Sequence, residues 1–382
     1  MIKQLLLAPG PTPVPARVRL AMAQPMFHHR TPQFSAVFAE VREGLRQLFQ
    51  TEEDVLVLAS SGTGAMEAAV VNCFSAGDEV VVVNGGKFGE RWVKLSATFG
   101  LKPIEIRVEW GRAVRPDQIA QALDEHPKAR GVLMQGSETS TCAVHPIEPV
   151  AAVTRDRDAL LIVDGITAVG VYDIPMDRWG VDVLITGSQK ALMLPPGLAM
   201  IALSKRAWAR VEKTAQPRYY FDLLRERTNQ AKNTTAYTPA ISLVIGLREA
   251  LAMMREEGLA NVFARHERLA RATRAAATAL DLRLLAPDNP SPAVSAIYVP
   301  SGVDGSKLFA FLRDKMRVVF AGGQDQLKGK IVRIAHLGYM GAFDVVSAIA
   351  ALEMALRHFG HDVQLGRGVG AAEGELLSAL SE

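Results

Sequence analysis

Two stretches, LLIVDGITAVG at residues 160–170 and TGSQKALMLPPG at residues 186–197, decide the fold of this chain. The run LLIVD contains only apolar residues before its terminal acid, which predicts a buried strand with Asp164 at its carboxyl end. Working outward, similar short apolar runs alternate with amphipathic stretches between residues 55 and 205. This alternation is typical of a mostly parallel sheet covered by helices on both faces.

The central sheet is predicted to have seven strands, which makes this region a large α/β domain. The predicted strands are residues 55–58, 78–84, 102–108, 131–135, 160–164, 181–186 and 198–204. A smaller α+β domain is predicted to follow, with strands at 294–299 and 331–335 and helices at 307–315 and 343–359. The length of 382 residues exceeds the size at which one hydrophobic core stops growing, so two domains are expected.

The chain is predicted to divide into four consecutive segments. These are an N-terminal arm (1–20), a large domain (21–255), an interdomain helix (256–275) and a small C-terminal domain (276–382). Apolar residues keep helical spacing from Ile241 to Arg274, which predicts one long helix. The glycines at positions 366, 368 and 370 predict a weakly ordered tail from His361 onward.

Composition excludes several classes of protein. The net charge is +3 and basic residues are mixed with acidic ones, so neither nucleic acid nor an anionic membrane is expected as a partner. The two cysteines, Cys73 and Cys142, are too few for a disulfide framework or a tetrahedral metal site. No long apolar run occurs, so no membrane span is predicted. We expect a cytoplasmic protein without a metal centre.

Asp164 and Lys190 are the strongest candidates for chemistry. A carboxylate at the end of a buried strand loses hydration unless it meets a cation, and a protonated pyridine nitrogen is such a cation. Lys190 follows another predicted strand and precedes the rigid Pro195-Pro196-Gly197 segment, where desolvation would lower its pKa and prepare the amine to bind an aldehyde. These two groups are what a protein needs to hold pyridoxal phosphate. The alternatives are a capping role for Asp164 and a solvated Lys190.

The loop SSGTG at residues 60–64 follows a predicted strand and opens a predicted helix. Its glycines let backbone N–H groups face a ligand, and the positive end of the helix dipole favours a phosphate. The alternative role for Ser61 is that of a simple helix N-cap. The loop lacks the Lys-Ser or Lys-Thr of a Walker A motif, so nucleotide binding is not favoured.

Four further features offer groups to the same site. Phe88 follows a predicted strand end, where it would either stack on a pyridine ring or belong to the core. The segment ETST at 138–141 offers hydroxyls, or is an ordinary polar loop. Arg333 lies within the apolar run IVRIA, where its guanidinium needs either a substrate carboxylate or a structural salt bridge. The loop residues 28–30, His-His-Arg, are a weaker candidate for the pocket lining.

Motifs along nearly the whole chain match one family. In order they are APGPTPVP (8–15), SSGTGAMEAA (60–69), NGGKFGERW (84–92), SETSTCAVHP (137–146), VDGITAVG (163–170), TGSQKALMLPPG (186–197), YTPAISL (237–243) and VRIAHLG (332–338). Together they resemble class V aminotransferases, specifically the alanine/serine–glyoxylate (serine–pyruvate) branch. The resemblance implies fold type I, a homodimer with the active site at the subunit boundary, and pyridoxal phosphate bound covalently to Lys190.

The resemblance also implies roles for individual residues. By motif position, Asp164 meets the ring nitrogen, Phe88 and Ile166 cover the two faces of the ring, and Arg333 holds the substrate carboxylate. The other implied cofactor contacts are Ser61, Gly62, Thr63, Thr139 and Gln189, with Thr234 or Thr235 and Tyr237 reaching the phosphate of the partner subunit. Two departures occur: Phe88 stands where relatives often have Trp, and ETSTC, which contains Cys142, replaces the more frequent ESSTG or ETSTG.

The expected activity is that of a transaminase for small substrates, with L-alanine or L-serine as donor and glyoxylate or pyruvate as acceptor. One alternative is another fold type I enzyme, such as a lyase or cysteine desulfurase. Desulfurases usually carry His before the lysine and a mobile Cys in the second domain, whereas here Gln189 precedes Lys190 and no Cys follows Cys142. The other alternative is a non-catalytic subunit that retains the pocket, since some close relatives have been labelled as a soluble hydrogenase subunit. A hydrogenase metal centre would need clustered cysteines.

Overall fold

The computed structural model describes residues 4–378, and its central element is a seven-stranded sheet flanked by helices. In chain order the strands are β1 (Leu5–Leu6), β2 (Val55–Leu58), β3 (Glu79–Asn84), β4 (Lys102–Arg107), β5 (Gly131–Gln135), β6 (Ser137–Glu138), β7 (Ala143–Val144), β8 (Leu160–Asp164), β9 (Val183–Gly187), β10 (Ala199–Leu203), β11 (Val294–Tyr298), β12 (Val318–Val319), β13 (Ala321–Gly322) and β14 (Ile331–Ala335). The helices are α1 (Ala16–Met22), α2 (Pro32–Phe49), α3 (Gly62–Cys73), α4 (Lys87–Thr98), α5 (Pro116–Glu125), α6 (Ile147–Thr154), α7 (Met176–Trp179), α8 (Lys205–Val211), α9 (Leu223–Gln230), α10 (Ile241–Glu257), α11 (Leu259–Ala279), α12 (Gly305–Asp314), α13 (Ala342–His358) and α14 (Arg367–Ser378).

The large sheet has the strand order β2-β10-β9-β8-β5-β3-β4, so the prediction of seven strands is confirmed. Parallel pairs join β9, β8, β5, β3 and β4, whereas β10 runs antiparallel to both of its neighbours. Central strands such as β8 are buried along their whole length, which explains their continuous apolar sequences. Because the parallel strands point the same way, their carboxyl ends meet at one edge, where ligands bind in open α/β sheets.

A smaller antiparallel sheet, in the order β11-β14-β13, carries the C-terminal part of the fold. Its apolar core also includes residues of α11, α12, α13 and α14. The N-terminal segment joins this region directly, because β1 pairs in parallel with β12 and the Ala335 N–H donates to the Leu7 carbonyl at 2.9 Å. The alternation of strands and helices here agrees with the predicted α+β arrangement.

Two apolar clusters lie on the large sheet, and a third fills the C-terminal region. The predicted division into segments 1–20, 21–255, 256–275 and 276–382 stays a prediction. Residues 1–3 of the first segment and residues 379–382 of the last segment lie outside the described residues. Between residues 4 and 378, every helix is too short or too polar to span a membrane.

The prediction of one long helix from Ile241 to Arg274 is wrong, because the structure has two helices here, α10 and α11. Gly258 separates them with φ of 84° and ψ of 129°, a conformation that ends one helix and precedes the next. Glycine adopts positive φ without the strain that a side chain would meet. Apolar spacing continues on both sides of the break, so periodicity alone does not reveal it.

The prediction of a weakly ordered tail from His361 is also wrong for the described residues, because α14 packs against α11 and α13. The buried Glu353 carboxylate accepts hydrogen bonds from three N–H groups at the start of this helix, at 2.7–3.2 Å. At Gly368 a Cβ would lie 2.8 Å from a leucine side chain, so glycine permits close packing. The tail glycines include one that serves packing rather than flexibility.

Candidate active site

Asp164 ends β8 at the carboxyl edge of the sheet, and it is 5% exposed. One carboxylate oxygen accepts a hydrogen bond from the Ile166 N–H at 2.9 Å. Burial raises the pKa of this carboxyl to about 7, because the ionised form loses its hydration. Within residues 4–378 it forms no ion pair. A carboxylate in this setting is suited to a cationic ligand.

Lys190 lies in the turn after β9, at the same edge of the sheet. Its Nζ donates a hydrogen bond to the Pro9 carbonyl at 2.5 Å, so the N-terminal segment contacts the amine. Burial lowers the pKa of Lys190 to about 8; the Asp164 carboxylate opposes this shift, whereas the Arg333 guanidinium adds to it. At Gly10, where φ is +142°, a Cβ would lie 2.4 Å from Nζ, so a larger residue there would displace the lysine side chain.

Asp164 and Lys190 line one cavity, together with most of the predicted cofactor-binding residues. Those that line it are Ser61, Gly62, Thr63, Phe88, Thr139, Asp164, Ile166, Gln189 and Lys190. They lie beyond the carboxyl ends of β2, β3, β5, β8 and β9, or at them. The parallel sheet therefore brings together residues that are far apart in the chain. The role of each residue toward a cofactor stays a prediction.

The loop before α3 has the form of an anion-binding helix start. Ser61 stands at the N-cap position, yet its side chain makes no capping hydrogen bond, so the simple N-cap role does not hold. At Gly62 a Cβ would lie 2.3 Å from Ile166, and glycine is what lets the two segments pass. The buried Gln189 Oε1 has no hydrogen-bond partner in the described chain. The N–H groups at a helix N-terminus suit a phosphate, whereas the Gln189 oxygen is an acceptor and suits a donor.

Glu138, which lies in a segment with the composition of an ordinary polar loop, is a buried carboxylate. It accepts hydrogen bonds from the Phe88 and Gly89 N–H groups, both at 3.0 Å, and from the Ser140 hydroxyl at 2.5 Å. It therefore caps α4, whose own N-cap residue is Gly86. Burial raises the pKa of Glu138, and these hydrogen bonds oppose the shift. Its effect is to fix the start of the helix that carries Phe88.

Arg91 and Thr167 line the cavity as well, although no motif singled them out. Arg91 donates to the Thr63 hydroxyl at 3.0 Å, and its guanidinium carbon lies 4.9 Å from the centroid of the Phe88 ring. The Thr167 and Thr139 hydroxyl oxygens lie 2.6 Å apart. Arg91 follows Phe88 by three positions on α4, so helical spacing is the signal that points to it.

Arg333 is buried on β14 and does not line this cavity. Its Nε donates to the Gly322 carbonyl at 3.0 Å, and its Nη1 donates to the Thr139 carbonyl at 2.7 Å. It forms no ion pair in the part of the chain that the structure describes, so a structural salt bridge is not found there. The positive charge of Arg333 adds to the lowering of the Lys190 pKa that burial causes.

Other candidates lie outside the cavity. The cofactor-binding candidates outside it are Thr234, Thr235 and Tyr237, and the loop candidates outside it are His28, His29 and Arg30. Arg30 donates to the Thr234 hydroxyl at 2.6 Å and to the Thr235 carbonyl at 2.9 Å, so it holds these two segments together. That Thr234 or Thr235 and Tyr237 reach the phosphate of a partner subunit stays a prediction.

The residues of the cavity fit pyridoxal phosphate. Asp164 is a buried acid suited to the ring nitrogen, and Lys190 is an amine of lowered pKa suited to the aldehyde. The Phe88 ring offers a stacking face. The start of α3, with Arg91 beside it, suits the phosphate. Nothing in this set of residues argues against the cofactor.

Solved structures define the class of fold. Ureidoglycine–glyoxylate aminotransferase from Bacillus subtilis superimposes with a TM-score of 0.94 at 28% identity, covering 99% of each chain. Alanine–glyoxylate aminotransferase from Nostoc sp. superimposes with a TM-score of 0.89 at 31% identity, covering 94% of this chain and 96% of that one. The fold is therefore that of the fold type I aminotransferases, which depend on pyridoxal phosphate.

The family profile described as Aminotransferase class-V matches residues 6–341. This chain belongs to the class V aminotransferase family. Soluble hydrogenase 42 kDa subunit from Anabaena cylindrica is 43% identical, covering 97% of this chain and 98% of that protein. L-aspartate–glyoxylate aminotransferase from Paracoccus denitrificans is 38% identical, covering 96% and 95%. Serine–glyoxylate aminotransferase from Methylorubrum extorquens is 36% identical, covering 97% and 95%.

Proposed function

We propose that this protein transfers an amino group from a small L-amino acid, alanine or serine, to glyoxylate or pyruvate, with pyridoxal phosphate as cofactor. The observation that carries the proposal is the placement of a buried acid, Asp164, and an amine of lowered pKa, Lys190, in one cavity. A capping acid and a solvated lysine would have no reason to meet there. Membership of the class V aminotransferases supports the same function.

Pyridoxal phosphate, when bound, supplies an electron-accepting ring that stabilises negative charge at the substrate α-carbon. Asp164 would keep the ring nitrogen protonated, because a buried carboxylate gains most from a neighbouring cation. Phe88 and Ile166 would hold the plane of the ring. The residues that would surround the phosphate are Ser61, Gly62, Thr63 and Gln189, with Thr139 on the side of the ring.

Lys190 would have two tasks at its Nζ atom. It would bind the cofactor aldehyde, and after release by the substrate amine it would move a proton from the substrate α-carbon. A pKa of about 8 suits both tasks, because the uncharged amine is available near neutral pH and can still accept a proton. The Pro9 carbonyl, 2.5 Å from Nζ, would orient the free amine.

Arg333 would bind the substrate carboxylate. The Gly322 and Thr139 carbonyls accept from Nε and Nη1, which orients the guanidinium. Among residues 4–378 no acceptor is found for Nη2, and Nη1 carries a second hydrogen. Two parallel hydrogen bonds to a carboxylate are therefore possible, in the geometry that guanidinium groups favour.

The absorbance spectrum of the purified protein tests the proposal. Cofactor bound covalently to Lys190 should give a visible band, and L-alanine or L-serine should bleach it. The variant Lys190→Ala should lose turnover, whereas Lys205→Ala, at an exposed helix start, should keep it. A colourless protein that does not respond to added pyridoxal phosphate, or sustained transamination by Lys190→Ala, would contradict the proposal.

The choice of substrates needs a panel of amino donors against keto acids. Relatives named for aspartate, serine and alanine share glyoxylate as the acceptor in their names. We therefore expect glyoxylate to give the highest kcat/KM among acceptors, with alanine and serine ahead of larger donors. A preference for a large donor or for 2-oxoglutarate would refute this part of the proposal without refuting transamination.

We also propose a homodimer in the cytoplasm, with each active site completed by the partner subunit. Tyr237 donates to a neighbouring tyrosine carbonyl on its own chain and lies outside its own cavity. Mixing Lys190→Ala with Tyr237→Ala tests this, because a hybrid dimer would contain one intact site. Random mixing should restore about a quarter of the native sites. No recovery after verified subunit exchange would mean that Tyr237 does not act across the interface.

A second candidate function is that of a non-catalytic subunit with a retained pocket. Two relatives at 43% and 42% identity are named as soluble hydrogenase subunits, which favours it. Cys73 and Cys142 are both buried, and burial raises the pKa of each thiol to about 12, so neither is a ready metal ligand. Turnover in the panel would reject this candidate. A lyase or desulfurase would instead release product from the donor without any keto acid present.

A further inference from the structure

We propose that Arg91 is a further cofactor-binding residue, which supplies the positive charge for the phosphate of pyridoxal phosphate. This inference rests on the proposed function and extends it to a residue that no sequence motif assigned. Arg91 lies on α4, opposite the glycine loop that opens α3, and both segments line the cavity.

The position of Arg91 is fixed by two contacts. Its Nη1 donates to the Thr63 hydroxyl at 3.0 Å, in the loop expected to hold the phosphate. Its guanidinium carbon lies 4.9 Å from the centroid of the Phe88 ring. These contacts orient the planar guanidinium toward the start of α3. Only one of its five N–H groups is used on the neutral Thr63 hydroxyl.

The charge of Arg91 is not neutralised by contact with a carboxylate. Among residues 4–378 it forms no ion pair, in contrast to Lys87 and Lys94 on the same helix, which both pair with Glu90. Asp164 responds to the Arg91 charge through space, but the two groups are not in contact. A guanidinium that lines a cavity and has no carboxylate partner among the described residues is suited to an anion.

The phosphate needs such a charge. A phosphate monoester carries about −1.5 to −2 charges near neutral pH, whereas a helix N-terminus offers only about +0.5. The residues that line the cavity include two cations, Arg91 and Lys190, and Lys190 is committed to the aldehyde in the proposed function. Arg91 is the side chain left to balance the phosphate.

Two ligands that differ only in the phosphate test the inference. The dissociation constants of pyridoxal phosphate and pyridoxal are measured on cofactor-free protein by absorbance titration, so no turnover is needed. Arg91→Met should weaken pyridoxal phosphate by about 10- to 100-fold, the range of a charge-assisted hydrogen bond, and change pyridoxal by less than about threefold. Arg91→Lys should show a smaller loss with the same selectivity, because it keeps the charge without the fork of donors.

Matched variants control for indirect effects. Lys94→Met removes a positive charge from an exposed site on the same helix and should leave both constants unchanged. Phe88→Ala should weaken both ligands to a similar degree, because it removes a stacking face and not a charge. Inorganic phosphate should compete with pyridoxal phosphate on the native protein and compete less well on Arg91→Met.

The outcomes separate this inference from the proposed function. Equal weakening of both ligands by Arg91→Met, or no weakening of either, would overturn the role of Arg91 while leaving the proposed function intact. If Arg91→Met does not fold, the same comparison is made on Arg91→Lys, where equal losses would overturn the role. Native protein that binds neither ligand would overturn both.

Discussion

Asp164 and Glu138 are two buried carboxylates near the same edge of the sheet, and their surroundings are opposite. Glu138 accepts hydrogen bonds from the N–H groups of Phe88, Gly89 and Ser140 and from the Ser140 hydroxyl. Asp164 accepts one, from the Ile166 N–H, within the described chain. Burial raises the pKa of both groups. The comparison separates a carboxylate that serves the fold from one that is left for a ligand.

The same contrast teaches how the site is built. Glu138, whose oxygens accept several hydrogen bonds, fixes the start of the helix that carries Phe88 and Arg91. The fold itself therefore positions these two side chains. Asp164 accepts only one hydrogen bond from the described residues, so its buried negative charge would be stabilised by a bound cation. Variants at the two positions should therefore change different measured quantities.

The largest expected effect follows from Asp164→Asn. We expect kcat/KM for transamination to fall by about 10²–10³-fold, because an amide cannot keep a ring nitrogen protonated. The free energy of unfolding of the cofactor-free protein should not fall, since Asn removes a buried charge and keeps an oxygen for the Ile166 N–H. Steady-state kinetics and urea unfolding measure the two quantities. If Asp164→Asn remained active and had a lower free energy of unfolding, Asp164 would serve the fold and not a ligand.

The next effect is the pH dependence of covalent capture of pyridoxal phosphate by cofactor-free protein. Burial disfavours the charged amine, so folding lowers the pKa of Lys190 from 10.5 to about 8. The capture rate should rise about tenfold per pH unit below that value and level off above it, as the uncharged fraction does. Stopped-flow absorbance gives the profile, with Lys190→Ala as the blank. A rate that still climbs tenfold per unit between pH 9 and 10 would show an ordinary, solvated lysine.

A smaller effect is expected for Glu138→Gln, and on stability rather than chemistry. The amide keeps one acceptor oxygen and turns a donor toward N–H groups, so the free energy of unfolding should fall by about 1–3 kcal/mol. The loss in kcat/KM should be well below that of Asp164→Asn, because Glu138 reaches the cofactor only through Phe88. Urea unfolding and kinetics on the same samples decide. If Glu138→Gln lowered kcat/KM as much as Asp164→Asn and left the free energy of unfolding unchanged, Glu138 would serve the ligand and not the fold.

The smallest effect should come from Glu353→Gln, which is a control for a carboxylate that serves the fold alone. This residue caps α14 by accepting from the Gly366, Gly368 and Val369 N–H groups, and it does not line the cavity. Loss of one acceptor oxygen should lower the free energy of unfolding by about 1 kcal/mol. Cofactor affinity and kcat/KM should match the native values. A changed affinity would mean that α14 influences the site.

The sequence predicts the large sheet and the Asp164–Lys190 pair for one physical reason. Buried parallel strands require continuous apolar runs, and their carboxyl ends must meet at one edge, so an acid and an amine after two such runs are brought together. The roles of Glu138 and Arg91 cannot be predicted from the apolar strand runs. The carboxylate of Glu138 is explained by N–H groups about fifty positions earlier in the chain, and Arg91 has the spacing of an ordinary amphipathic helix.

The two wrong predictions about order share a cause. Gly258 interrupts a helix although apolar residues keep their period on both sides of it. The glycines near residue 368 belong to an ordered helix, because a buried Glu353 from another helix caps it and close packing needs glycine there. The local composition of a segment does not reveal stabilising contacts with residues that are distant in the sequence.

Locating the covalent bond shows directly whether Lys190 is the residue that binds the cofactor aldehyde. Native protein loaded with pyridoxal phosphate is reduced with borohydride, digested and analysed by mass spectrometry, with Asp164→Asn treated in parallel. We expect a reduced pyridoxyl phosphate on the peptide that contains Lys190, and an altered visible spectrum before reduction in the Asn variant. Label on another lysine, or no label on protein that is folded and saturated with cofactor, would contradict it.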